Sequence, residues 1–147
     1  MIARSLKMNL EKFMKKYEIL EHKADLKIRT FGKTKGELFL NMMIAMLESM
    51  KPEGLKGRAK REIKTESNNH STLLVDFLSE VLYLSQVNKE VYTNIKFQKL
   101  TDTKLEGDLV GQKFERIGLD IKGVTYHSLD IHQKKNRTWE ATVLFDI

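Results

Sequence analysis

The chain contains no cysteine, one proline and one tryptophan among its 147 residues. Without cysteine it forms neither disulfides nor thiolate zinc sites, and it lacks a cysteine nucleophile. No apolar run approaches the ~20 residues that a membrane-spanning helix needs. The first residues also lack the apolar segment that is typical of a secretory signal. These absences predict a cytoplasmic protein with no membrane association.

Positive charge is concentrated in the first half of the chain. The formal net charge is +6, and residues 1–66 carry 16 Lys and Arg against nine Asp and Glu. Such a half is compatible with a nucleic-acid partner, or with a protein that binds nucleic acid. A lysine-rich solvated surface is the simpler interpretation, because no arginine-rich tract or exposed aromatic row accompanies the charge.

Two helices are indicated by their start signals and apolar spacing. Thr34 and Glu37 form a capping box ahead of a segment that is apolar on several sides, which predicts a buried helix ending before Pro52. The second helix follows a cap at Asn69 or Ser71. On it Asp76, Glu80 and Tyr83 share one side, which indicates either a solvated face or a site for a metal or a basic side chain.

The remaining segments alternate as strands do, and most neighbouring strands are close in sequence. Residues 111–119 are interpreted as a loop, and residues 120–133 as a long extended segment in which Gly123 marks a bulge or a close backbone approach. The pattern predicts one α+β domain with two helices packed on a mostly antiparallel β-sheet. We expect residues 1–13 to be an extension, for which the apolar spacing predicts a short N-terminal helix, and residues 14–147 to form the domain.

Residue spacing alone identifies no catalytic site. The four histidines lack zinc-ligand spacing, and no nucleophile elbow, Walker loop or dinucleotide fingerprint occurs. Asp25 begins a strand, and Asp146 ends another beside Ile147. Carboxylate and main-chain oxygens would suit a hard cation such as calcium or magnesium. Two unrelated surface aspartates at strand ends explain the same pattern, since spacing does not bring Asp25 and Asp146 together.

Four motifs in a fixed order make the chain similar to a known family. EHKAD, LVDFLSEVLYL, KGVTYHSL and the terminal VLFDI resemble the archease family over about residues 14–147. The resemblance implies a protein cofactor rather than an enzyme. Its expected partner is the GTP-dependent tRNA-splicing RNA ligase, whose guanylylation and multiple turnover it would promote, with RNA contacted mainly through the ligase. The alternative is an RNA-binding or tRNA-modification accessory protein with a chaperone-like role.

The resemblance also implies functional residues. It assigns a divalent cation, calcium first and magnesium or manganese as alternatives, to Asp25, Asp146 and a main-chain oxygen of Ile147. It assigns a functional role to Lys122, and His22 and His127 lie in the same motifs as partner-facing candidates. Lys23 stands where the family commonly has threonine, and a cation there would weaken metal binding by Coulomb repulsion if it pointed inward.

Overall fold

The computed structural model describes residues 17–22 and 25–147. The predicted extension and its short helix lie outside the described residues, as does Lys23. The domain boundary at residue 14 therefore stays a prediction.

Both helices begin at the caps that the sequence marks. Helix α1 spans Lys35–Ser49, and the Thr34 side chain accepts a hydrogen bond from the Glu37 amide. Helix α2 spans His70–Asn88, and Asn69 accepts a hydrogen bond from the Thr72 amide at 2.9 Å. Each cap satisfies an amide that has no partner inside its helix.

The strands form two main antiparallel sheets and a small third one. Their bounds are β1 Tyr17–His22, β2 Asp25–Gly32, β3 Pro52–Glu53, β4 Lys56–Glu66, β5 Glu90–Leu100, β6 Lys104–Lys113, β7 Arg116–Ile117, β8 Gly123–Gln133 and β9 Trp139–Asp146. The first sheet has the order β1-β2-β9-β8, the second β4-β6-β5, and β3 pairs with β7. All pairings among the described strands are antiparallel, as predicted.

The two helices form the centre of the core because each contacts both main sheets. Helix α1 lies against β2 and β9 of the first sheet and against β5 of the second, while α2 lies against β8, β4, β5 and β6. The Phe39 and Phe77 rings join the helices at a centroid distance of 5.7 Å. Burial on several sides explains why α1 is apolar nearly all round.

One strand-level prediction, and one of the two alternatives for Gly123, were wrong. Residues 111–119 are not one loop, because β6 continues to Lys113 and β7 pairs with β3. Gly123 is not a bulge either. The bulge lies further along β8, where Thr125 pairs with Leu144 but Asp130 already pairs with Thr142. Both features depend on pairing partners distant in sequence, which local alternation does not reveal.

Among the described residues, no helix combines the length and the apolarity needed to cross a membrane.

Candidate functional site

Asp25 and Asp146 face each other across two neighbouring strands. Asp25 is the first residue of β2 and Asp146 the last of β9, and the antiparallel register pairs them directly. Opposite residues in such a pair have Cβ atoms ~4.5–5.5 Å apart, on the same face of the sheet. The fold therefore joins two aspartates from opposite ends of the domain at one end of the first sheet.

Strand β8 supplies the other side of this arrangement. Its first residue, Gly123, pairs with Asp146. The amide of Lys122 donates a hydrogen bond to the Asp146 carbonyl oxygen at 2.7 Å. A Cβ atom on Gly123 would have one close neighbour, Asp146 Oδ2, at 3.8 Å. The side of the Asp146 carboxylate that faces Gly123 therefore has no side chain of the described residues against it, and the Lys122 backbone lies beside the Asp146 main chain.

The chain end completes the group. Ile147 is partly buried against the core, which fixes its main chain beside Asp146. We call Asp25, Asp146, Ile147, Lys122 and Gly123 the acidic tip. Asp25 is half-buried, whereas Asp146 and Lys122 are exposed. The tip therefore presents carboxylates and one lysine to solvent.

The electrostatics of the acidic tip favour a cation. Like charges directly opposite each other in a sheet are destabilising. Over residues 17–22 and 25–147, neither Asp25 nor Asp146 forms an ion pair with Lys or Arg. Two carboxylates and a main-chain oxygen form the all-oxygen donor set that a hard divalent cation prefers. The residues present thus fit calcium or magnesium.

The two candidate histidines occupy different positions. His22 ends β1 and pairs with Leu26, the residue after Asp25, so its backbone is close to the acidic tip. His127 lies four residues beyond Gly123 in the β8 bulge, where it is exposed and its amide bonds to Thr125 Oγ1. The structure therefore brings the His22 backbone near the aspartates and places His127 in a separate feature.

The β8 bulge is joined to helix α2. Ser128 within it has φ +58°, and the Tyr126 hydroxyl donates to Asp76 Oδ1 at 2.7 Å. That hydrogen bond to Asp76 raises the pKa of Tyr126, which stays a neutral donor at physiological pH. The hydroxyl of Ser67 donates to the second Asp76 oxygen at 2.6 Å. Both oxygens of Asp76 therefore accept hydrogen bonds from hydroxyl groups.

A second group of ionisable side chains was missed by the sequence analysis. His132 lies between Asp130 and Glu140, with Nδ1 2.7 Å from the former and Nε2 3.3 Å from the latter. Lys134 Nζ is 3.3 Å from the same Glu140 carboxylate. Alternation on β8 puts Asp130 and His132 on one face, but the cross-strand position of Glu140 required the register. The group therefore combines histidine–carboxylate contacts with one ion pair, between Lys134 and Glu140.

Comparison with known sequences identifies close relatives. The chain matches the archease protein family over residues 17–147. It is 35% identical over 142 residues to protein archease of Methanosarcina barkeri, covering 90% of this chain and 97% of that protein. It is 29% identical to protein archease of Pyrococcus furiosus, covering 91% and 100%.

Two solved structures share the fold. The solution structure of Methanobacterium thermoautotrophicum protein 1598 has a TM-score of 0.65 at 24% identity, covering 89% of this chain and 98% of that one. A Thermotoga maritima crystal structure, described as an archease and "possible chaperone", has a TM-score of 0.63 at 21% identity, covering 88% and 96%. At these identities the likeness establishes the architecture alone.

Proposed function

Because the chain belongs to the archease family, we propose that it is a cytoplasmic protein cofactor of the GTP-dependent tRNA-splicing RNA ligase. In this role it promotes guanylylation of the ligase and its multiple turnover, and it catalyses no reaction itself. The observation that carries the proposal is the acidic tip, where Asp25 of β2, Asp146 of β9 and Lys122, just before β8, meet at one end of a sheet. The exposed Asp146 and Lys122 side chains are available for contact with a partner's active site.

The proposal includes a divalent cation at the acidic tip. Calcium, or alternatively magnesium or manganese, would be held by Asp25, Asp146 and the Ile147 main-chain oxygen. When bound, the cation neutralises the facing carboxylates and offers positive charge to phosphate oxygens. The open side of Asp146 beside Gly123 supports this role, since a side chain there would contact Oδ2.

The chain's own residues would act by favouring one ligase conformation. Lys122 is exposed beside the Asp146 carbonyl, where its ammonium group can pair with a phosphate or a carboxylate of the partner. A protein partner shifts a conformational equilibrium only through its differential affinity for the two states. Contacts made by the acidic tip with the guanylylation-competent ligase would supply that difference.

The test is a guanylylation and ligation assay with the ligase encoded in the same genome. The ligase is incubated with GTP, manganese and RNA ends, with and without this protein, and transfer of labelled GMP and product per ligase are measured. We expect both the rate of guanylylation and the number of turnovers to rise. If a folded preparation leaves both unchanged, the cofactor function is wrong.

A second candidate is an RNA-binding accessory role, which is favoured by exposed cations at the end of β2 and β9 opposite the acidic tip. There Gly32 pairs with Trp139, and Lys33, Lys135 and Arg137 are exposed. Lys35 Nζ lies 5.7 Å from the Trp139 ring centroid but is paired with Asp102, so the exposed Lys33, Lys135 and Arg137 are the cations available to RNA. Cations beside an aromatic ring can bind phosphates and stack on bases.

This alternative makes its own prediction. It requires the chain alone to bind single-stranded RNA, with an affinity that falls steeply as salt rises. Fluorescence anisotropy with a labelled RNA at several salt concentrations measures that dependence. Binding that disappears when Lys135 and Arg137 are changed to Ser would favour the accessory role, and absence of binding by the wild-type chain would exclude it.

A further inference from the structure

Helix α2 exposes apolar side chains on the side that faces solvent. Tyr83 and Val87 are 58% and 61% exposed. At 100° per residue they lie within about 60° of Asp76 and Glu80, forming one narrow stripe along the helix. A solvated helix side is expected to be charged or polar. Tyr83 and Val87 are therefore not explained by packing of the core.

The other apolar residues of α2 pack into the core, unlike Tyr83 and Val87. Its buried residues include Phe77, Leu78, Val81 and Leu82, which lie between members of the stripe in sequence and point to the other sides. Moving Tyr83 or Val87 inward would require rotation of the whole helix. The fold thus holds both side chains outward.

The β8 bulge adds a third exposed apolar side chain to the stripe. Tyr126 is 56% exposed, and its hydroxyl bonds to Asp76 at the start of the stripe. That bond fixes the ring beside the helix. We call Glu80, Tyr83, Val87 and Tyr126 the helix–bulge surface.

The C-terminal end of α2 is hydrogen-bonded to the segment that leads into the acidic tip. One residue before Val87, Gln86 Nε2 donates to the carbonyl oxygen of Ile121 at 2.8 Å. The next residue is Lys122, whose amide bonds to Asp146. Two hydrogen bonds therefore connect the end of α2, beside Val87, to the backbone of Asp146 in the acidic tip.

We propose that the helix–bulge surface is the docking surface through which this protein binds the RNA ligase, an inference that rests on the proposed function. The acidic tip would act within the ligase active site, while Tyr83, Val87 and Tyr126 anchor the complex. Exposed apolar patches beside a functional site mark protein interfaces, and tyrosines are frequent anchors. Glu80 is exposed between them, so the matching ligase surface is an apolar recess with a cation at its rim.

Exposed apolar residues elsewhere provide matched controls. Ile19, Leu55 and Val110 are 46%, 49% and 39% exposed, and they lie on β1, before β4 and on β6. Val110→Ala removes the same atoms as Val87→Ala, but on strand β6 instead of helix α2. If general surface hydrophobicity determines ligase affinity, both variants should weaken it. If the helix–bulge surface docks the ligase, only Val87→Ala should weaken it.

The experiment measures ligase affinity and guanylylation in parallel. Immobilised ligase is titrated with wild type, the Tyr83→Ala/Val87→Ala double variant and Val110→Ala, and the same proteins are titrated in the guanylylation assay. Removing two anchors is expected to weaken binding about tenfold or more. For the double variant, the concentration for half-maximal stimulation should rise by the same factor as the Kd, while the maximal stimulated rate stays unchanged. Val110→Ala should match wild type in both assays. Circular dichroism confirms that each variant is folded.

Four outcomes would overturn the proposal. Equal affinity of the double variant and wild type would show that the surface does not dock. A lower plateau at unchanged affinity would place its role in the stimulated step. If sedimentation shows a wild-type dimer that the double variant loses while ligase affinity is unchanged, the surface joins two copies of this chain. If the wild type does not bind the ligase, docking and cofactor function both fail, whereas tight binding without stimulation contradicts the function alone.

Discussion

At the scale of single residues, the second sheet contains a buried carboxylate with three hydrogen bonds. Glu90 is 1% exposed, and Arg61 donates to its two oxygens at 2.9 and 3.0 Å. The Tyr92 hydroxyl donates to Oε1 at 2.8 Å. Chiefly because Arg61 donates to it, the pKa of Glu90 lies below its ordinary value, so its ionised form is the native one. Burial raises the pKa of Tyr92, which remains protonated.

Replacing Glu90 by Gln should destabilise the fold. The amide keeps one acceptor oxygen but cannot receive both Arg61 bonds, and it leaves a buried donor without a partner. We expect a loss of roughly 2 kcal/mol in the free energy of unfolding, measured by urea denaturation at neutral pH. The matched control is Glu106→Gln, whose exposed ion pair with Lys64 at 3.2 Å should contribute little.

The same variant predicts a pH dependence with a definite sign. A carboxyl group whose folded pKa is lowered stabilises the protein above its unfolded pKa of about 4.3, and that contribution is lost as the pH falls through the folded value. The difference in stability between wild type and Glu90→Gln should therefore shrink under acidic conditions. A difference that stays constant or widens there would contradict the assignment of an ionised Glu90.

The residues of the acidic tip show what sequence reasoning could and could not provide. The placement of Asp25 and Asp146 at strand ends follows from local alternation. Their direct pairing depends on β2 and β9 being neighbours in a given register, which no local pattern specifies. Only the resemblance to a family assigned Asp25 and Asp146 to one site, because their spacing in the sequence does not.

At the scale of elements, two glycines differ in whether the fold leaves space for a side chain. Gly111 on β6 is paired on both sides, and a Cβ there would overlap the Val91 carbonyl oxygen. Gly36 lies in the first turn of α1, where a Cβ would be 3.4 Å from the Phe97 ring. The first position requires glycine, and the second tolerates a side chain.

The two alanine substitutions should therefore change stability in opposite directions. Gly111→Ala forces the backbones of β5 and β6 apart and is expected to cost at least about 2 kcal/mol. Gly36→Ala restricts the unfolded chain and should stabilise by roughly 0.5 kcal/mol. Thermal unfolding of both variants beside wild type measures the pair. A Gly111→Ala protein as stable as wild type would contradict the strand pairing at this position.

Helices and strands differ in whether nearby residues suffice to predict them. Both helix starts were predictable because Thr34 and Asn69 cap amides only three residues away. The β3–β7 pair was missed because it depends on Glu53, whose carbonyl receives the Glu115 amide at 2.9 Å from far along the chain. The bulge at Tyr126–Leu129 was missed for a similar reason, since its extra residues are defined only against β9.

At the scale of the whole molecule, cation binding at the acidic tip should stabilise the fold. A ligand that binds only the native state at 100 times its Kd adds about 2.7 kcal/mol, which raises the Tm of a domain of this size by several degrees. We expect wild-type Tm to rise with calcium and Asp25→Asn to show no rise. Without calcium, Asp25→Asn should be at least as stable as wild type, because it removes one of two facing charges.

The network around His132 provides the control for this measurement. Asp130→Asn changes an exposed carboxylate on the same sheet and should leave the calcium response intact. If Asp130→Asn abolishes the response and Asp25→Asn preserves it, calcium binds at the His132 network and the acidic tip is not its site.

We propose that contacts between the acidic tip and the ligase cause its stimulation. The most direct measurement is the rate of ligase guanylylation with saturating wild type, Asp146→Asn and Asp130→Asn, each confirmed as folded. Loss of an interaction made only with the activated state lowers the maximal rate. We expect a stimulated rate at least about tenfold lower with Asp146→Asn and an unchanged rate with Asp130→Asn. Full stimulation by folded Asp146→Asn would show that the acidic tip does not act on the ligase.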